Sequence, residues 1–194
     1  MLDTHGRKYI SPLFKGVANI FLNLNMTANS ITIIAFIIGL LPFAFIYADK
    51  PLIAVTLLWV SGFLDAVDGE MARISNTSTP WGTLMDITFD RLVELGIILA
   101  MALKEPQSRM QLLFLTAAIV LSMTVFLTVG ALSQNKGSKS FYYQAGVAER
   151  TEGFIFFTLM ILIPTHLQLV TSIFSIVIVI TALQRLIEAR RILK

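Results

Sequence analysis

The chain has no cysteine and only two histidines, His5 and His166, among its 194 residues. The first absence removes disulfides, thiolate nucleophiles and thiolate zinc sites. The second leaves too little imidazole for a histidine metal cluster or a Ser-His triad. Charge is scarce as well: Asp, Glu, Lys and Arg make up 14% of the chain, against about 25% in ordinary soluble domains. Hydrophobic residues supply 56%, and the mean hydropathy is +0.77. The composition is that of an integral membrane protein. The net charge of +3 then reads as loops rich in Lys and Arg on the cytoplasmic side, and no nucleic-acid partner is expected.

Six apolar stretches approach the roughly 20 residues that cross hydrocarbon: 29–48, 51–72, 81–103, 110–132, 153–167 and 169–187. Short connections predict one all-α bundle of six transmembrane helices over 29–194, without a soluble domain. No repeat is visible, and no cleavage-site pattern predicts a removable leader. Arg7, Lys8, Lys15, Arg73, Lys136, Lys139, Arg150, Arg190, Arg191 and Lys194 fall on one side of this arrangement. Lys50, Lys104 and Arg109 fall on the other. The asymmetry places both termini and the 73–81 and 133–151 loops in the cytoplasm. Within residues 1–28, Lys8, Ser11, Lys15, Asn19 and Asn23 recur at helical spacing, while Tyr9, Leu13, Phe14, Val17, Ile20, Phe21 and Leu24 fill the remaining face. An amphipathic helix lying in the membrane interface is expected there.

Ionisable groups at the centre of a span cost about 2.5–3.5 kcal/mol each and mark function. The second stretch carries Asp65 and Asp68, and the third carries Asp86, Asp90 and Glu94. Spacings of i,i+3 and i,i+4 put each aspartate pair on one helix face. At about 1.5 Å per residue, all four aspartates lie roughly 20–25 Å from the outer ends of their helices. Two antiparallel helices would bring them to one level in the cytoplasmic half. Such acids need cations, and oxygen-only donors select a hard ion such as Mg²⁺, Mn²⁺ or Ca²⁺. Two divalent ions would balance four carboxylates, an arrangement suited to displacement at phosphorus. Gly69, Ala72 and Gly82 surround the cluster with small residues that leave room for a ligand or for tight helix packing. Glu94 continues the stripe, either as a hydrogen-bonded structural group or beside the metal site, with Arg91 as a partner for it or for the other acids.

The pattern Asp65-x2-Asp68-Gly69-x2-Ala72-Arg73-x8-Gly82-x3-Asp86-x3-Asp90 resembles the signature of the CDP-alcohol phosphotransferase family at every fixed position. Length, six spans and an interfacial first helix are similar too. The resemblance implies transfer of a phosphatidyl group, or its archaeal ether analogue, from a CDP-linked lipid to an alcohol, with release of CMP. It implies that Asp65, Asp68 and Asp86 hold two divalent metals, Mg²⁺ or Mn²⁺. Asp90 would touch metal and act as general base, while Gly69, Ala72, Arg73 and Gly82 line the nucleotide site. It implies a homodimer as well. Where many members read Thr-Pro-Asn, this chain reads Thr27-Ala28-Asn29, and Asn29 is expected to cap the first span.

Lys136, Lys139, Arg150 and Arg185 are the candidate ligands for a phosphorylated acceptor. For the lysines, topology alone is a sufficient explanation. The roughly 34 residues between Arg150 and Arg185 must cross the membrane twice, leaving about 22 Å per crossing against about 30 Å of hydrocarbon. Both arginines are thus expected in the inner leaflet, near the calculated aspartate level, where Arg forks match phosphate geometry. Ala148-Glu149-Arg150-Thr151-Glu152, Asp90-Arg91 and Gln184-Arg185 resemble the phosphatidylinositol-phosphate synthase branch, which favours inositol phosphate over glycerol phosphate. The alternatives are an unphosphorylated alcohol such as serine, or a cation- or proton-coupled transporter. The latter would typically show paired halves with broken helices.

Overall fold

A computed structural model describes residues 2–133, Gly146 and 149–193, with side chains described from Ser11 onward. Among the described residues the regular structure is entirely helical. In order these are α1 (Leu2–Asn23), α2 (Ala28–Tyr47), α3 (Pro51–Ile74), α4 (Pro80–Lys104), α5 (Arg109–Leu132), α6 (Arg150–Leu162) and α7 (Leu167–Ile192). Short 3-10 turns at Pro106–Ser108 and Pro164–His166 precede α5 and α7. Four segments are long and apolar enough to cross a membrane: Ala28–Tyr47, Pro51–Ile74, Pro106–Leu132 and Pro164–Ile192.

The two remaining expected spans differ for separate reasons. With 25 residues, α4 has the length, but Asp86, Asp90, Arg91 and Glu94 interrupt its apolar surface. The stretch expected to run from 153 to 167 is helical only over Arg150–Leu162, 13 residues. Pro164, with no N–H to donate and a ring that restricts Ile163, ends the helix before it. The cap of α2 is also corrected. Thr27 is the N-cap, its Oγ1 accepting from the Ser30 N–H at 3.2 Å, so Asn29 lies inside the first turn. The threonine hydroxyl is one residue outside the helix, where the unpaired N–H groups point.

The chain divides into two compact units, His5–Lys104 and residues 1–4 with 105–194. In the first, α2 packs along both α3 and α4. Ser61 donates to the Ala35 carbonyl at 2.8 Å, and Phe36 stacks on Phe89 with centroids 4.2 Å apart. Gly39 is the point of closest approach. A Cβ there would stand 2.6 Å from both Ser61 Oγ and Val93 Cγ2, so only glycine lets the three helices meet. The surface of α1 falls into three sectors. Phe14, Val17, Ala18 and Phe21 pack on Ile31, Val67 and Met71, Lys15, Asn19 and Asn23 are exposed, and Leu13, Ile20 and Leu24 form an exposed apolar stripe. Left-handed backbone at Asn25, Asp49 and Asn76 turns the chain between helices, a conformation that short polar side chains tolerate. Lys104, in the last turn of α4, donates to the Ile46 carbonyl at 3.2 Å and pairs with Asp49.

In the second unit α5 packs along α7, and α6 packs against α7. Phe174 of α7 stacks on Phe156 and meets Phe157 edge-on, with centroids 4.6 and 5.3 Å apart. Glu149 and Glu152 form a reciprocal capping box at the start of α6, satisfying N–H groups that the first helical turn leaves over.

Gly39→Ala should lower thermal stability in detergent by about 1–3 kcal/mol, because the new methyl must displace Ser61 and Val93. Gly96→Ala, where nothing lies within 4 Å of the added Cβ, should leave stability unchanged or raise it by up to about 1 kcal/mol. Equal melting temperatures for the two variants would remove Gly39 as the packing pivot.

Candidate active site

Asp65 and Asp68 face the same side of α3 and are buried, while Asp86 on α4 is half-buried. Each offers one carboxylate oxygen, and the three oxygens lie within 4.8 Å of one another. Oxygens on opposite sides of one hard cation stand about 4–5 Å apart, twice the metal–oxygen distance. The spacing of the cluster is compatible with a divalent ion held among the three oxygens. Asp90 is one turn further along α4, half-buried and outside that triad. Its register is set by the ring of Phe89 on Phe36 and by Val93 against Gly39. Arg91 donates to Glu94, the first of the partners expected for it.

The expected nucleotide residues occupy the turn after Asp68 and the start of α4. Arg73 folds back along α3, donating through Nε at 3.1 Å and through Nη2 to the buried Glu70 carboxylate. A Cβ on Gly69 would meet that guanidinium at 3.8–3.9 Å. The i,i+3 spacing of Glu70 and Arg73 is itself a sequence signal for this pair. Gly82 donates its N–H to Thr79 Oγ1 at 3.0 Å, so Thr79 caps α4 with Pro80 in its first turn. A Cβ on Gly82 would stand 3.3 Å from Asn29 Oδ1, which brings the start of α2 beside the start of α4. Ala72 is half-buried.

Of the acceptor candidates, Lys136 and Lys139 lie outside the described residues. Arg150 is the first residue of α6, with its guanidinium carbon 5.7 Å from the Phe154 ring centroid. Arg185 on α7 is buried. It donates to Ser122 Oγ at 3.2 Å and stands 4.9 Å from the Phe126 ring centroid. Sequence reading missed Ser122 and Phe126. They sit in an apolar stretch about 60 residues from Arg185, and only the α5–α7 pairing brings them to it.

Three carboxylates brought together from α3 and α4, with oxygen donors alone, are a group that could hold a hard cation. The comparison with known proteins carries the class to a family. The model of the CDP-alcohol phosphatidyltransferase family matches residues 25–185, and the chain belongs to that family. It is a membrane-embedded transferase of phospholipid biosynthesis. The inner membrane protein YnjF of Escherichia coli is 31% identical over 182 residues, 90% of this chain and 88% of that protein. The archaetidylinositol phosphate synthase of Pyrococcus horikoshii is 38% identical over 81 residues, 42% of this chain and 43% of that one. The phosphatidylinositol phosphate synthase of Mycobacterium tuberculosis, solved with CDP-DAG bound, shares the fold with a TM-score of 0.75 at 19% identity, over 92% of this chain and 94% of that one. The same enzyme has been solved in complex with manganese and citrate, with a TM-score of 0.74 at 18% identity.

Removing one oxygen donor from the triad should weaken cation binding. In titrations followed by Mn²⁺ paramagnetic resonance, Asp65→Asn, Asp68→Asn and Asp86→Asn should each lower affinity at least tenfold, the rough scale of a charge-assisted contact. Unchanged Mn²⁺ affinity in all three would move the cation site elsewhere.

Proposed function

We propose that the enzyme transfers a phosphatidyl or archaetidyl group from a CDP-linked lipid to the hydroxyl of a phosphorylated polyol, with inositol phosphate first and glycerol phosphate second. The observation that carries the reading is the Asp65–Asp68–Asp86 convergence inside a complete family signature. Asp65, Asp68, Asp86 and Asp90 would hold two Mg²⁺ or Mn²⁺ ions, which would supply charge neutralisation and Lewis-acid polarisation of the phosphoryl group. Gly69, Ala72, Arg73 and Gly82 receive the nucleotide, the glycines by admitting it close to the backbone. Asp90 accepts the proton of the acceptor hydroxyl as that oxygen bonds to the lipid-bearing phosphorus. The bond from this phosphorus to the bridging oxygen breaks, and CMP leaves with the electron pair. Lys136, Lys139, Arg150 and Arg185 bind the acceptor's phosphate. The names of the Pyrococcus and Mycobacterium proteins support that acceptor class.

The chain is further read as six transmembrane segments, α2 to α7, with α1 in the cytoplasmic interface and residues 29–194 as one catalytic bundle. The exposed stripe of Leu13, Ile20 and Leu24 beside Lys15 and Asn19 supports the interfacial position of α1. The lysine and arginine asymmetry supports cytoplasmic termini and a cytoplasmic active site. A homodimer is the assembly that family membership suggests.

Purified enzyme incubated with CDP-diacylglycerol, Mg²⁺ and a panel of alcohols should release CMP fastest with inositol phosphate. Excess EDTA should abolish release, and Mg²⁺ or Mn²⁺ should restore it. Full activity in the chelator would overturn the metal assignment, while equal use of free inositol would overturn the phosphate pocket. Asp90→Asn should lose about 10²–10⁴-fold in turnover while retaining the affinity for CDP-lipid. Near-native turnover in that variant would place the base elsewhere, with Glu94 next in line.

A further inference from the structure

Arg73 stands in the last turn of α3, where a long cation ordinarily reaches over the final carbonyls or out to water. Here it turns the other way. Its Nε, at 3.1 Å, and its Nη2 both donate to one oxygen, Glu70 Oε2, a turn nearer the aspartates. Glu70 is the acidic partner of Arg73 among the described residues. The two side chains differ in exposure, with 11% accessible for Glu70 and 48% for Arg73. The carboxylate is therefore the anchored member of the pair. Nη1 and the second hydrogen of Nη2 lie outside the contact, on the more exposed side chain. Gly69 lies close by. A Cβ there would stand 3.8 Å from Nη1 and 3.9 Å from Nη2, so the guanidinium rests along the helix beside a residue with no side chain.

We propose that Glu70 is a positioning residue for the nucleotide, holding the Arg73 guanidinium beside Gly69 so that its remaining donors are ordered before the nucleoside diphosphate of the lipid arrives. The proposal rests on the reading of Arg73 as a nucleotide ligand. Two N–H groups converging on one oxygen fix the plane of the guanidinium as well as its place. A long side chain ordered in advance has less freedom to lose when it binds. The opposite arrangement would have the phosphates pull Arg73 away from Glu70. That would leave a buried carboxylate without its cation, the costly way to break such a pair. Keeping the pair and binding through the free donors avoids this cost. Glu70 thus acts through Arg73 and touches neither metal nor substrate.

The test is equilibrium binding of CDP-diacylglycerol to the full-length enzyme in detergent, with Mg²⁺ and no acceptor, so the identity of the alcohol does not enter. Glu70→Ala should weaken binding about three- to tenfold, the scale of ordering one long side chain. Glu70→Gln, which keeps an oxygen acceptor at the same reach, should retain most of the affinity. Mn²⁺ affinity, followed by paramagnetic resonance, should be unchanged in both, because the aspartates are intact. Arg73→Ala should weaken CDP-diacylglycerol binding about tenfold or more. The double variant Glu70→Ala/Arg73→Ala, which removes the carboxylate left alone by the single change, should bind as Arg73→Ala does. A residue that acts through another has no effect once that partner is gone. If Arg73→Ala and the double variant both bind like wild type, the nucleotide reading of Arg73 falls and the role of Glu70 with it. If they bind weakly and Glu70→Ala binds like wild type, the positioning role alone is wrong. Tighter binding in Glu70→Ala would make the carboxylate a competitor for the arginine and overturn the proposal. Equal losses of Mn²⁺ and lipid affinity, or a lowered melting temperature with lipid affinity unmoved, would make Glu70 a structural support and overturn it too.

Discussion

Asp65, Asp68 and Asp86 repel one another, and the repulsion grows as the surrounding dielectric falls. At 4.8 Å, the upper limit of their oxygen separations, and an effective dielectric constant of about 20, a pair of ionised carboxylates costs at least about 3–4 kcal/mol. The helices that carry them would relax apart if nothing else held them. In the His5–Lys104 unit the restraint is α2, which is joined to α3 through Ser61 and the Ala35 carbonyl and to α4 through the Phe36–Phe89 stack. Gly39 lets both neighbours close to contact distance on the same helix. The apolar packing thus holds the acids in a poor arrangement for empty carboxylates and a good one for carboxylates around a cation. Binding energy that would otherwise go into gathering ligands is already supplied by the fold.

The same unit shows how much of a membrane enzyme is legible from residue spacing. Helix limits were readable to within a few residues, because apolar runs and the breakers between them state both ends. The acidic faces were readable too, since i,i+3 and i,i+4 spacing depends on helix geometry alone. The cap of α2 was misjudged by two residues. Thr27 and Asn29 are both good capping types, and only the backbone decides which one stands outside the helix. In the other unit, the 153–167 stretch was overextended because hydropathy does not register a missing N–H, whereas the helix ends two residues before Pro164.

Less of the acceptor side was legible. Arg150 and Arg185 stood out because arginine in an apolar stretch is conspicuous. What holds Arg185 did not, since a serine and a phenylalanine in a hydrophobic helix are unremarkable there. Their meaning depends on which helix packs against which, and spacing within one helix says nothing of that. Glu70 illustrates the opposite case. Its partner Arg73 is three residues away, so helix geometry alone predicts the pair.

The brevity of α6 bears on a problem common to all enzymes that join a lipid to a water-soluble molecule. Thirteen residues make a rod of about 20 Å, some 10 Å shorter than the hydrocarbon layer. Taken as a crossing, such a rod cannot keep both its ends at the two surfaces. Under the six-span reading proposed above, its first residues, Glu149 and Arg150, would draw the aqueous boundary inward on one side. The donor's lipid tail would then remain among its neighbours while a soluble acceptor descends through its own solvent. Neither reactant would have to change phase for the two to meet.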